Sequence, residues 1–195
     1  MFASSTNFFK LHKRRIKLIN YYRKMLTVDR LAGKFKLRKY DLAQHSYFTG
    51  IFFIHFAKLE GIEYSTEVLE TVLSHDLMET LTSDLPWNIK NMSEVTKECW
   101  SKIENETARV FPEFQKYSDE AIKSSLTEEQ FRLFKCMDYL DLFLFIHEEI
   151  LLGNVTPEMI EIYERCTNLI DHQFKSVNEF VLEKYKIGKV RYSFN

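Results

Sequence analysis

The chain has 195 residues, of which 45% are apolar and 15% aromatic, and its 27 basic and 28 acidic side chains leave a formal net charge of -1. That balance excludes a molecule drawn as a whole to nucleic acid or anionic membranes. Five glycines and three prolines are too few for a turn-rich β architecture, and the composition predicts an all-α protein of one domain spanning 1–195, its core over about 8–170 and a C-terminal helix and tail over about 171–195.

The first predicted element is an amphipathic helix over about 7–26, where Phe8, Leu11, Ile16, Ile19, Tyr22 and Met25 recur among Lys and Arg. A basic connector from Asp29 to Tyr40 follows, with Gly33 as its turn point, and it is the loop expected beside a site. Between Lys10 and Lys39 the only acidic residue is Asp29, an asymmetry that reads either as a solvated helical face or as a field attracting phosphates. The second helix runs from Asp41 as N-cap to about Leu59, stops at Gly61, and carries His45 near its start. A third, opening near Ser65 or Thr66, has the stripe Val68, Leu69, Val72, Leu73 and Leu77 and is expected to deliver His75, Asp76 and Glu79 near its C-terminal end.

Pro86 makes Thr82 to Pro86 a turn. A further amphipathic helix is predicted over about 93–111, then a polar, partly irregular stretch over 112–125. Thr127 with Gln130 opens a long apolar helix through Phe131, Met137, Leu140 and Leu144 to Gly153. Thr156-Pro157-Glu158 opens the last, running towards Tyr185, and the tail after Gly188 is expected to be poorly ordered. No apolar run reaches about 18 residues, and no apolar core follows a basic leader. Cys99, Cys136 and Cys166 form no CxxC pair. These features predict reduced thiols, a cytoplasmic location and no membrane partner.

Chemistry concentrates in the third helix and the turn after it. His75 and Asp76 offer an imidazole and a hard oxygen anion to one cation, and at helical spacing Glu79 shares their sector. His45, on the preceding helix, and Asp138, a carboxylate in the most apolar helix of the chain, are the further ligand candidates, with Asp141 competing. His55 and His147 read as structural or exposed, and Phe52, Phe53, Phe56, Phe143 and Phe145 as core.

His45, His75-Asp76 and Asp138 on separate helices form a pattern that resembles the HD-domain metal-dependent phosphohydrolases. More narrowly, His75-Asp76-x-x-Glu79-x-x-Thr82-x-Asp84-Leu85-Pro86 with the following Lys90 is similar to the bacterial 5'-deoxynucleotidase branch, as are Gln44-His45-Ser46, Lys135 to Asp138, Glu148-Glu149 and Gly153-Asn154. The similarity spans roughly Phe8 to Leu169. It implies a single divalent metal ion (Mn, Co, Fe, Ni or Zn, with Mg a poorer match) on His45, His75, Asp76 and Asp138. It also implies Glu79 as the residue handling the proton of water or of the leaving oxygen, and Asp84 as a catalytic-site contact to the sugar 3'-hydroxyl. Arg30 is the phosphate-binding candidate, with Lys36, Arg38 and Lys39 as rivals.

The chain departs from the branch at two places. Leu31 follows Arg30 where the branch has Trp, and Gln44 precedes His45 where it has an acid. The implied reaction converts deoxynucleoside 5'-monophosphates to deoxynucleoside and phosphate. The close alternative is release of triphosphate from deoxynucleoside triphosphates, as in compact phage dATP triphosphohydrolases. An alternative of another class is a non-catalytic nucleotide or nucleic-acid binding module working through the basic N-terminal helix. The expected partner is a small nucleotide rather than nucleic acid, and the resemblance implies a homodimer.

Overall fold

The structure is a computed structural model that describes residues 18–90 and 92–185. The first part of the predicted N-terminal helix and the tail after Gly188 lie outside them. Every regular element among the described residues is helical, as the composition predicts. In chain order these are α1 (18–24), α2 (Leu42–Glu60), α3 (Thr66–Leu73), α4 (Glu79–Thr82), α5 (Trp87–Lys90), α6 (Glu94–Val110), α7 (Asp119–Ser125), α8 (Glu128–Leu151), α9 (Pro157–Leu169) and α10 (Lys175–Tyr185), with 3-10 turns at Met25–Thr27 and Pro112–Tyr117. No described helix is long and apolar enough to cross a membrane.

The chain divides into two compact units. Among the described residues, the first takes those up to Phe35, Lys39–Ser46 and Ser74–Ser125. Its core is Met25, Leu42, Leu77, Met78, Phe114 and Tyr117, so the residues around the His-Asp motif are built directly on apolar anchors. The connector after α1 is closed at its base by hydrogen bonds from Arg30 N–H to the Tyr40 carbonyl (2.9 Å) and from Leu42 N–H to the Val28 carbonyl (3.1 Å). Asp41 then starts α2 as predicted, its carboxylate accepting the Gln44 N–H at 3.0 Å. Ser93 and Thr96 form a reciprocal capping box that starts α6. The stretch 112–125, expected to be partly irregular, is instead a 3-10 turn and a helix. Phe114 and Tyr117, one 3-10 repeat apart, both reach the core, and Ile122 anchors α7.

The second unit takes Lys36–Arg38, Tyr47–Leu73 and the described residues from Leu126 onward. Its longest element, α8, packs on α9 and buries Leu133, Met137, Leu140, Phe143 and Ile146 completely. Thr127 and Gln130 cap it reciprocally. Gly61 (φ +71°) closes α2, with Ile62 N–H reaching the Ala57 carbonyl at 2.8 Å, and Gly153 (φ +99°) closes α8, with Asn154 N–H reaching the Glu149 carbonyl at 2.9 Å. The single helix expected from Pro157 towards Tyr185 is two. The break is held by Asp171, whose carboxylate accepts from Gln173 N–H (2.9 Å) and from Arg132 (2.6 Å) while Ile170 and Phe174 stay buried.

Candidate active site

The third helix does not carry the His-Asp motif. α3 ends at Leu73, and Ser74 to Met78 form turns in which Leu77, Glu79 and Thr80 N–H groups bond to the carbonyls three residues earlier. The tightened backbone places Leu77 and Met78 in the core and leaves His75 and Asp76 on the same side as His45. Glu79 opens the short α4, which stops at Ser83 (φ +66°).

Within the first unit His45 is fully buried, and the Tyr40 hydroxyl stands 3.1 Å from its Nδ1. Its Nε2 lies 3.2 Å from the Nε2 of His75. Asp76 Oδ2 is 3.3 Å from His75 Nε2 and 3.7 Å from His45 Nε2. Two imidazole nitrogens bound to one ion at about 2.1 Å would stand about 3.0 to 3.4 Å apart at octahedral or tetrahedral angles. The His/Asp cluster therefore fits a single divalent cation.

Electrostatics reinforce that fit. Burial alone would raise the Asp76 carboxyl, but His75 and Arg30, with His45 behind them, hold it well below the usual carboxylate range. Arg30 is ion-paired with Asp76. Although burial works against its charge, Asp76, Tyr40, Asp84 and Glu79 together raise its pKa. Glu79 is only 7% exposed. Burial and the nearby Asp76 push it up to about 8 against the pull of Lys90, whose ammonium binds Oε1 at 2.9 Å. Glu79 Oε2 is buried with no hydrogen-bond partner, an oxygen left for a group from outside the chain.

Asp84 follows one residue after the strained Ser83, and its Oδ2 accepts the Leu31 N–H at 3.1 Å. Burial raises its pKa while Arg30 opposes the rise. Leu31 itself has φ +55°, so the two non-glycine residues of positive φ among the described residues, a conformation that costs about 1–2 kcal/mol each, both border Asp84.

In the second unit Asp138 is buried on α8 and ion-paired with Lys135, and Asp141, its rival, is also buried. The rival cations are engaged elsewhere. Arg38 reaches Glu148 (2.6 Å) and lies over the Phe145 ring (4.9 Å), while Lys39 contacts Asp41 (2.9 Å) and the Leu26 carbonyl (3.0 Å). Lys36 is half-buried at the loop tip. His55 is exposed against Phe56, and His147 stacks on Phe143 and Tyr163; both are structural, as read from the sequence.

Sequence reasoning missed three contacts. Tyr40 had no signal, because its reach to His45 depends on the closed connector. Lys90 was visible only as part of a motif, without its bond to Glu79. Glu149, fully buried, accepts the backbone N–H groups of Leu37 (2.7 Å) and Arg38 (3.0 Å), a role that nothing in its sequence neighbourhood announces.

Comparison with known proteins places the chain. It resembles an HD-domain phosphohydrolase from Listeria innocua (20% identity, 87% of each chain covered, TM-score 0.69). It also resembles the cyanophage S-2L HD phosphohydrolase DatZ, solved with dA and one catalytic Zn2+ ion (16% identity, 85% of this chain and 94% of that one, TM-score 0.61). A conserved hypothetical protein from Pyrococcus furiosus is similar at 24% identity over 84% of this chain and 99% of that one, with a TM-score of 0.57. No curated protein sequence matches. The model of the 5'-deoxynucleotidase YfbR-like family matches residues 17–186. The chain belongs to that family and is a nucleotide phosphohydrolase of the HD-domain fold.

Proposed function

We propose that the chain cleaves the 5'-phosphate from deoxynucleoside monophosphates, using one divalent cation held by His45, His75, Asp76 and Asp138. The observation that carries this reading is the convergence of the His45 and His75 Nε2 atoms beside Asp76, one turn from the unpartnered Glu79 oxygen. His45, His75 and Asp138 are all buried donors of the type that holds such an ion. A set of two imidazoles and two carboxylates suits Mn, Co, Fe, Ni or Zn better than Mg, and the zinc in DatZ supports zinc among them. Such a cation supplies charge to offset the phosphoryl oxygens and acidifies water.

The chain's own groups do the rest. Lys90 holds Glu79 by Oε1, and Glu79 Oε2, on a carboxyl lifted towards neutrality, gives its proton to the 5'-oxygen as the P–O5' bond breaks, while water adds to phosphorus and the proton it releases restores the carboxyl. Arg30, a planar five-donor guanidinium whose positive charge is sustained beside Asp76, is the group that meets the substrate phosphate. Asp84, fixed by the Leu31 N–H, takes the sugar 3'-hydroxyl through its other oxygen. The internal pairing of Arg38 and Lys39 favours a monophosphate over a triphosphate tail. The proposal includes a single functional domain, a cytoplasmic location, supported by free cysteines at 99, 136 and 166, and a homodimer, which light scattering would test.

A panel of nucleoside mono- and triphosphates with added Mn, Co, Mg or Zn tests the reaction. Inorganic phosphate from deoxynucleoside monophosphates is expected. Triphosphate as the released product would transfer the assignment to the phage-like reaction. Salt-dependent nucleic-acid binding with no release from any nucleotide would favour the non-catalytic module.

A further inference from the structure

Helix α6 contributes no side chain to the cluster just described, yet one of its rows meets Lys90, the partner of the catalytic candidate Glu79. Thr96, Trp100 and Glu104 follow one another at one-turn spacing. Thr96 Oγ1 approaches the Lys90 carbonyl at 3.4 Å, and the Lys90 ammonium lies 4.8 Å from the centre of the Trp100 ring. The indole N–H of Trp100 is tied to Glu104 Oε1 at 2.8 Å, which fixes the ring plane. Lys90 also borders a cavity of about 420 Å³ together with Lys97, Trp100 and Glu104. Its head is therefore placed by directed contacts more than by close packing.

We propose that Trp100 is a positioning residue for the hydrolytic reaction: its ring face holds the Lys90 ammonium, which in turn holds Glu79 by Oε1 and presents Oε2 to the reacting atoms. The attraction between an ammonium and an indole face is electrostatic and acts beside the hydrogen bond from Lys90 to Glu79. A lysine on a flexible four-carbon stem would otherwise sample the cavity. Trp100 acts here only through Lys90 and Glu79, so the inference rests on the role proposed for Glu79.

The test uses the full chain loaded with metal. Trp100→Leu is expected to lower kcat about tenfold with KM and metal affinity unchanged, and Trp100→Phe, which keeps a ring face, to stay within about threefold of wild type. Combined with Lys90→Met, Trp100→Leu should add no further loss, because the two act in series. Because Trp100→Leu also removes packing atoms, fluorinated tryptophans incorporated in a Trp87→Phe background weaken the ring face at nearly constant shape, and kcat should fall with each added fluorine. A wild-type kcat in Trp100→Leu, additive losses with Lys90→Met, or a kcat indifferent to fluorination would overturn the proposal. An inactive wild type would instead reject the function on which it rests.

Discussion

Glu79 has one bonded and one unbonded oxygen, and the role proposed for it rests on that difference. Oε1 is fixed by Lys90 and Oε2 is unpartnered in a buried site. Glu79→Gln keeps the shape and removes the proton exchange, so kcat is expected to fall by roughly 10² to 10⁴ while the protein still binds its metal, as phosphate-release kinetics and metal analysis will show. Tyr40 acts one step further out, orienting His45 through Nδ1. Tyr40→Phe is expected to weaken metal binding by about tenfold or more in a competition titration with a chromophoric chelator. The His75, Asp76 and Glu79 group was legible in the sequence because its members are neighbours along the chain. Tyr40 was not, because its contact exists only once residues 28–42 close on themselves.

The helix boundaries divide by the same logic. Starts at Asp41, Ser93 and Thr127 were readable because a cap is made by residues three apart. The end of α3 at Leu73 and the break at Ile170 to Phe174 were not. In both, apolar periodicity continues while the backbone turns to satisfy the core or Asp171. The stop at Gly61 was legible too, and it can be measured. Its φ of +71° disfavours any side chain, so Gly61→Ala is expected to lower unfolding free energy by about 1–2 kcal/mol, read from urea denaturation at unchanged m.

Across the molecule, three cations of the basic segment that the sequence left ambiguous are ion-paired within the chain: Arg30 with Asp76, Arg38 with Glu148 and Lys39 with Asp41. The proposed ligands were legible as residue types, whereas the approach of the His45 and His75 Nε2 atoms, 30 residues apart in the chain, was not. Stability should carry a pH signature from Glu104, which burial and the nearby Asp119 raise to about 7. Between its ordinary range near 4.5 and 7 the folded chain keeps a proton that the unfolded chain releases, so stability falls as pH rises through that window. Thermal melts should show this slope, and Glu104→Gln should reduce it, leaving the part that Glu79, raised to about 8, contributes with the same sign. The central claim is one catalytic cation per chain on His45, His75, Asp76 and Asp138. Its most direct measurement is metal titration of chelator-stripped protein with phosphate release from a deoxynucleoside monophosphate followed in parallel. Activity should rise from none and saturate at one ion per chain, and His75→Ala should neither bind nor respond. Full activity in the stripped protein, or an undiminished response from His75→Ala, would contradict the account.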